Sequence, residues 1–372
     1  MRDFRGIAAS LLLSACVIPI SAANAASAAK PALGQWGVDL TSMDTAIKPG
    51  DDFFEYVNGT WLKTAKIPDD RASTGSFQDL RIQSEKQMRA IVEKLEAKPY
   101  DALSPDEKKL RDLYDAFMDQ KQIEERGLKP AEADLAYLRG LKTLDDVARA
   151  MGSTRLQTSS IFSLSISADD KHPDSYAVFT GQSGLGMPDR DYYLRDDPAL
   201  AKTREAYRKY LAAMLSFVDP KDATARAGKI YDLEAAIAKA EWPNAERRDP
   251  DKTYNPLSIT DLQKLTPGFS WAAFLGEAGI SKDGPKGERN IIVAEKSAFP
   301  ELARIFAETP VAVWRDYLTV HYLRTYAAFL PKAIDEENFA FYGKVINGNA
   351  KQLDRATRGV HLLDNNMGEA LG

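Results

Sequence analysis

Cysteine is almost absent from this chain of 372 residues, because Cys16 is the only one. A single thiol cannot form an internal disulfide, so the fold has to depend on a hydrophobic core. The chain has enough material for one, since 44% of its residues are apolar and they include 5 Trp, 15 Phe and 15 Tyr. This composition excludes a small disulfide-stabilised scaffold and indicates one large or two ordinary domains.

Histidine is also scarce, with only His172, His321 and His361 in the whole chain. None of them has a second histidine within one helical turn, whereas a His-Glu-x-x-His zinc site needs two. We expect His172 to lie in a turn before Pro173, and the other two to pack inside helices with hydrogen bonds. The sequence therefore predicts no catalytic metal site among its own residues.

The chain also lacks an excess of positive charge, and it lacks a long apolar run after residue 25. The net charge is −5 with the two signs interleaved, which argues against nucleic-acid binding. No stretch after residue 25 approaches the roughly 20 apolar residues that a spanning helix requires. We therefore predict no transmembrane span in the mature chain.

The N-terminus has the pattern of an export signal. Arg2 and Arg5 precede an apolar run over residues 7–20, and Ala23-Asn24-Ala25 offers small residues for cleavage. The pattern predicts a signal peptide over residues 1–25, a flexible leader over 26–36 and a mature chain that is periplasmic or secreted.

A second interpretation of the same segment is a lipoprotein signal. Leu13-Ser14-Ala15-Cys16 resembles a bacterial lipoprotein box, in which Cys16 is acylated and becomes the first mature residue. The two interpretations predict different mature N-termini, near Ala26 or at Cys16.

Helical periodicity covers most of the remaining chain. Apolar residues recur at helical spacing over residues 79–97, Ser104-Pro105 has the pattern of a capped helix start, and Thr143 and Gly152 bound another helix. Residues 198–217 and 222–242 are predicted to form a helix pair, and a further helix is predicted from Thr309-Pro310 to Leu330.

Strand patterns are few. Residues 161–167 and 175–180 alternate in polarity around a turn, which predicts a hairpin, and residues 290–294 suggest a short third strand. The predicted fold class is mainly α, a multi-helix lobe with a small β-hairpin element.

Six sequence blocks together resemble the N-terminal part of the M13 (neprilysin-like) zinc metallopeptidases. In chain order they are DDFFEYVNGTWL (51–62), SFQDLR (76–81), GLGMPDRDYYL (184–194), WRDYL (314–318), FAFYG (339–343) and GEALG (368–372). The resemblance covers residues 37–372 of the predicted mature chain. It implies a helical lobe that caps the active-site cavity of an exported bacterial zinc metalloendopeptidase acting on small peptides.

The same resemblance implies where the chemistry lies. The catalytic half, with zinc, the His-Glu-x-x-His site and a glutamate as general base, is expected beyond residue 372, so this chain is expected to be an inactive fragment without bound zinc. Its expected partners are peptide substrates and that C-terminal catalytic lobe. The alternative is a complete, non-catalytic periplasmic binding or scaffold protein.

Arg81 is the substrate-binding candidate. In M13 relatives, arginines of this region help to hold the carboxylate end of a peptide, and Arg81 falls on the matching position. The family's second arginine is not matched, because Ser73 occupies that position and Arg71 lies two residues away. A guanidinium fork suits a carboxylate. The other interpretation is a solvated arginine on a helix face.

The remaining polar motifs are expected to be structural. Asp52 with Glu55 resembles a capping box, and Gly59 is expected to end the short helix that follows it. Arg190 and Asp191 are expected to belong to a polar network that holds a tight loop.

Overall fold

The computed structural model describes residues 37–284 and 287–372. The α-helices of these residues are Phe53–Leu62 (α1), Ser76–Ala97 (α2), Pro105–Met118 (α3), Gln120–Arg126 (α4), Glu132–Gly140 (α5), Leu144–Gly152 (α6), Asp191–Leu194 (α7), Pro198–Ser216 (α8), Ala223–Ala240 (α9), Pro250–Thr253 (α10), Ile259–Leu265 (α11), Trp271–Glu277 (α12), Phe299–Glu308 (α13), Val311–Tyr326 (α14), Lys332–Asn338 (α15) and Arg355–Leu371 (α16). A π-helix spans Phe339–Ile346. The predicted mainly α fold class is confirmed.

Strands form a small mixed sheet and a minor hairpin. They are Phe162–Ala168 (β1), Tyr176–Gln182 (β2), Asn255–Ser258 (β3), Asp283–Gly284 (β4), Gly287–Glu288 (β5) and Asn290–Val293 (β6). The sheet order is β1-β2-β6-β3, with β2 and β6 parallel and the other two pairs antiparallel. The predicted hairpin and third strand are thus confirmed.

Strand β3 was not predicted from the sequence. It has only four residues and contains Pro256, which lacks an N–H group to donate to a ladder. Such a strand is tolerated at the edge of a sheet, which is the position that β3 occupies beside β6.

The helix-start signals of the sequence act as predicted. Ser104 and Thr143 both form reciprocal capping boxes, with Glu107 and Asp146. The predicted helix over 309–330 is shorter in the structure, because α14 ends at Tyr326 and a 3₁₀ turn follows over Ala327–Phe329. Leu330 is extended, as expected for the residue before a proline.

The chain divides after Lys66 into two compact units. The first contains α1, whose start is capped by Asp52, since its Oδ1 accepts from the Glu55 N–H at 2.8 Å. The expectation that Gly59 ends this helix is wrong, because α1 continues to Leu62. Gly59 is required for a different reason: a Cβ there would lie 2.6 Å from Cβ of Asp44.

The second unit, Ile67–Gly372, contains two hydrophobic cores. The larger core lies among helices α5 to α15 and the sheet, and its largest fully buried side chains include Trp271 and Trp314. The smaller core lies where α2, α3 and α16 pack together. Gly152 brings α6 against α12, because a Cβ at Gly152 would lie 2.1 Å from the carbonyl oxygen of Phe274.

Within the part of the chain that the structure describes, every helix is too short or too polar to cross a membrane. The predicted signal segment and Cys16 lie outside the described residues.

Candidate functional site

The start of α2 forms a shallow concavity of about 370 Å³ that contains the sequence-predicted substrate residue. Gly75 precedes the helix with a φ of 139°, a conformation that residues with a side chain rarely adopt. No side chain caps the first turn of α2. The lining residues are Ser73, Thr74, Gly75, Ser76, Phe77, Gln78 and Arg81.

Arg81 is exposed and lies one turn after Phe77, whose side chain is 91% exposed. Among the described residues, no carboxylate pairs with Arg81. Its guanidinium is therefore free to bind an external anion, and Phe77 offers an apolar surface beside it. Ser73, at the position of the unmatched second arginine, lines the same concavity.

Arg71, the nearest alternative for that second arginine, has an internal partner. Its Nη1 and Nη2 donate to the two carboxylate oxygens of Glu85 at 3.1 and 2.5 Å, and its side chain is only 11% exposed. His361 Nε2 lies 2.7 Å from Oε1 of the same carboxylate. Burial alone would raise the pKa of Glu85, but hydrogen bonds from Arg71 and His361 outweigh it and the pKa is lowered. This cluster ties the segment before α2 to α16.

The loop of residues 184–194 is held by a buried tyrosine. Tyr193 Oη accepts from the backbone N–H groups of Gly186 and Met187 at 3.1 and 2.9 Å and donates to Glu234 at 2.6 Å. Arg190 donates from Nε to the carbonyl oxygen of Ala238. Arg190 therefore anchors the loop to α9, and Asp191 lies in the first turn of α7.

Glu234 is the centre of a buried polar cluster that was not predicted from the sequence. It is fully buried, and its carboxylate accepts from Tyr193 and from Tyr207, the latter at 3.0 Å, with His321 Nε2 also at 3.0 Å. The signal was available, because Glu234 falls on the apolar face of α9 between Ile230 and Ile237. His321 packs in the core with a hydrogen bond, as the sequence predicts.

The described residues do not fit a bound metal. In residues 37–284 and 287–372, no group of three or more His, Cys, Asp or Glu side chains could hold one. His172 is exposed and lies in the turn between β1 and β2.

The helical architecture matches solved metalloprotease structures. Zinc metalloprotease Zmp1 of Mycobacterium tuberculosis, in complex with an inhibitor, is 31% identical with a TM-score of 0.81, over 90% of this chain and 50% of that one. PepO from Lactobacillus rhamnosis HN001 shows the same fold, with a TM-score of 0.71 over 87% of this chain and 51% of that one. Its sequence identity to this chain is 19%. By fold, the chain is a lobe of the zinc metalloprotease type.

Sequence comparison gives the family. The profile of peptidase family M13 matches residues 49–372, and the chain belongs to that family. Endothelin-converting enzyme 1 of Rattus norvegicus and that of Homo sapiens are each 29% identical over 344 residues, 90% of this chain and 44% of the relative. The chain thus spans about half the length of the relatives that it matches, and the predicted resemblance is confirmed.

Proposed function

We propose that this chain is the N-terminal, cavity-capping lobe of a zinc metalloendopeptidase that hydrolyses small peptides. The observation that carries the proposal is the family match over residues 49–372 in a chain that spans about half of its relatives. Residues 37–372 form the proposed lobe, and the zinc site and the general base belong to a catalytic lobe outside these residues. The lobe would restrict access to flexible peptides.

The exposed face of α2 supports a role at a lobe interface. Phe77, Leu80 and Ile91 have exposed fractions of 91, 53 and 39% and follow one helical stripe. Single exposed apolar residues are ordinary, but Phe77 and Leu80 lie on adjacent turns, and clustered exposed apolar residues are typical of interaction surfaces. We propose that this stripe faces the catalytic lobe and that Arg81, beside it, binds the C-terminal carboxylate of the peptide.

Export is part of the proposal. Residues 1–25 would act as a signal peptide and residues 26–36 as a flexible leader of a periplasmic or secreted protein, with lipid attachment at Cys16 as the alternative. Mass spectrometry of the mature protein distinguishes them, since cleavage gives an N-terminus near Ala26 and lipoprotein processing gives an acylated Cys16.

The test of function is peptide hydrolysis by the protein expressed from its complete reading frame. We expect cleavage of short peptides that a metal chelator abolishes. Arg81→Gln should lower kcat/KM about 10- to 100-fold for peptides with a free C-terminus, because a charge-assisted hydrogen bond is lost. Amidated peptides should be little affected.

The matched control is Arg89→Gln, which removes the same charge from the same helix at an exposed position. Equal effects of the two substitutions would contradict the role of Arg81. A protein with no chelator-sensitive hydrolysis would contradict the enzyme proposal and support the binding or scaffold alternative.

A further inference from the structure

A second cavity, of about 730 Å³, lies away from α2 in the second unit. Its walls are the loop of residues 185–188, the segment 157–159, α14 and the π-helix Phe339–Ile346. Its volume falls in the range of small-molecule sites, roughly 300–1,000 Å³. None of its lining residues is Asp or Glu.

Arg324 of α14 is the charged residue of this cavity. Its guanidinium lies 4.1 Å from the ring centroid of Tyr342, and Nη1 makes one long hydrogen bond, 3.4 Å, to the carbonyl oxygen of Gly186. Within the described residues no carboxylate pairs with it. This cation–π contact restricts the position of the guanidinium at the cavity wall. Arg324 is therefore a positioned cation for which the described residues supply no counter-ion.

Two energetically unfavourable backbone conformations occur at the same cavity. The π-helix is a rare conformation that is found mostly at functional sites, and it brings Tyr342 and Ile346 into the cavity wall. Gln157 adopts a φ of 46°, which is uncommon for a residue with a side chain, and Thr325 holds it by donating to its carbonyl oxygen at 3.1 Å. Such strain clusters at ligand sites, so it supports a role in binding.

The other lining groups indicate the class of ligand. Asn338 Oδ1 accepts from Tyr210 at 3.1 Å, so its amide N–H groups are left to donate to a ligand. Leu185 and Met187 add apolar surface. A single guanidinium balances a single negative charge, and amides beside apolar groups suit a peptide backbone with an apolar side chain.

We propose that this cavity binds the C-terminal carboxylate of a short peptide, with Arg324 as the anion-binding residue. The guanidinium would donate two parallel hydrogen bonds to the carboxylate, and Asn338 would donate to the carbonyl of the preceding residue. The proposal depends on residues of this chain alone and is independent of Arg81 and of any catalytic activity.

The experiment is isothermal titration calorimetry on the purified 372-residue chain. The probes are N-acetyl-Ala-Ala-Leu with a free carboxylate, the same peptide as its C-terminal amide, and inorganic phosphate. We expect the free acid to bind at least about tenfold more tightly than the amide or phosphate, since only it matches the charge and shape of the site. Arg324→Gln should weaken binding of the free acid by at least about tenfold.

Two controls locate the effect. Arg315→Gln removes the same charge from α14 but outside the cavity, where Arg315 donates to the carbonyl oxygen of Leu141, so peptide binding should be unchanged. The titrations are repeated in the Arg81→Gln background, which removes the other proposed carboxylate-binding residue, and the effect of Arg324→Gln should persist there. Arg324→Lys keeps the positive charge but loses the bidentate guanidinium, so this variant should bind the free acid with intermediate affinity. It can replace Arg324→Gln in the test if the Gln variant unfolds. Thermal unfolding checks each variant.

Five results would overturn the proposal: equal binding of the amide, tighter binding of phosphate, loss of binding in Arg315→Gln, no effect of Arg324→Gln in the Arg81→Gln background, and no heat of binding at millimolar peptide. A lack of effect of Arg324→Gln would assign peptide binding to another surface, whereas the proposed function of Arg81 is tested separately by the hydrolysis assay.

Discussion

Glu234 shows how one buried carboxylate can organise several elements. It joins the loop of residues 184–194 through Tyr193, α8 through Tyr207 and α14 through His321. Burial, with the charge of Glu234 as the next cause, raises the pKa of Tyr193 well above its usual value, so this phenol stays a donor. The carboxylate thus accepts hydrogen bonds from three buried donors.

We predict that Glu234→Ala destabilises the protein by about 3 kcal/mol or more, because it leaves three buried polar groups without an acceptor. Chemical denaturation measures the change in the free energy of unfolding. Glu205→Ala on α8, where the carboxylate is exposed and pairs only with Lys209, should change stability by less than about 0.5 kcal/mol. A loss below about 1 kcal/mol for Glu234→Ala would show that water replaces the carboxylate.

Glu241 gives a prediction of pH dependence. Burial raises the pKa of Glu241 to about 7, with Arg247 opposing the shift and Glu295 adding to it. Because the pKa of Glu241 is higher in the folded protein than in the unfolded chain, the protonated carboxyl favours folding. This contribution to the free energy of unfolding is complete below the unfolded pKa, near 4.5, and is lost as the pH rises through about 7.

Glu241→Gln removes this titration. At pH 8 the variant should be more stable than the parent, by at most about 3 kcal/mol for a shift of this size, and the difference should vanish below pH 4.5. Thermal unfolding across pH 4–9 measures it. Glu246→Gln, an exposed neighbour, should follow the parent at every pH. A parallel displacement of the Glu241→Gln curve would contradict the pKa assignment.

At the scale of the elements, glycine sets the contact between α6 and α12. We predict that Gly152→Ala destabilises the protein by about 1–3 kcal/mol, because a Cβ cannot fit 2.1 Å from the Phe274 carbonyl oxygen. Gly228→Ala in α9 is the control, since nothing lies within 4 Å of its added Cβ. It should stabilise by about 0.5–1 kcal/mol through helix propensity. The same sign for both in urea unfolding would be contrary to this packing argument.

Local chemistry explains which elements the sequence predicts. The helix starts at Ser104 and Thr143 depend on side chains a few residues away, so the sequence contains the whole signal. The prediction that Gly59 ends α1 failed because the requirement for glycine there is steric. It comes from contact with Asp44, which is distant in sequence and approaches Gly59 only after folding. Strand β3 was missed because its pairing partner β6 comes more than thirty residues later.

Of the two candidate sites, one was predictable from a local motif and the other was not. Arg81 was predicted as a substrate-binding residue through a motif, and the structure adds that it is exposed and lines a concavity. The cavity of Arg324 could not be predicted, because its walls come from segments 157–159, 185–188 and 338–347, which only the fold brings together. The π-helix that completes the cavity could not be predicted either, because sequence patterns do not distinguish it from an ordinary α-helix.

At the scale of the whole molecule, the stripe of α2 is an apolar surface that the rest of the described chain leaves exposed. The first half of α2 buries no apolar side chain, and Val92 and Leu95 enter the smaller core only in its second half. Helices obtain most of their stability from packing, so this end of α2 is expected to gain from contact with another surface.

We predict that the isolated chain self-associates through this stripe at concentrations of about 0.1 mM, since exposed apolar side chains on one helix face favour association. Phe77→Ser with Leu80→Ser should shift sedimentation towards the monomer with little loss of stability, because both side chains are mostly exposed, at 91 and 53%. Tyr176→Ser, 83% exposed on β2, is the control and should leave association unchanged. A monomeric parent chain, or an equal effect of the control, would show that the stripe is an ordinary solvated face. The proposal that α2 faces a second lobe would then lose its structural support.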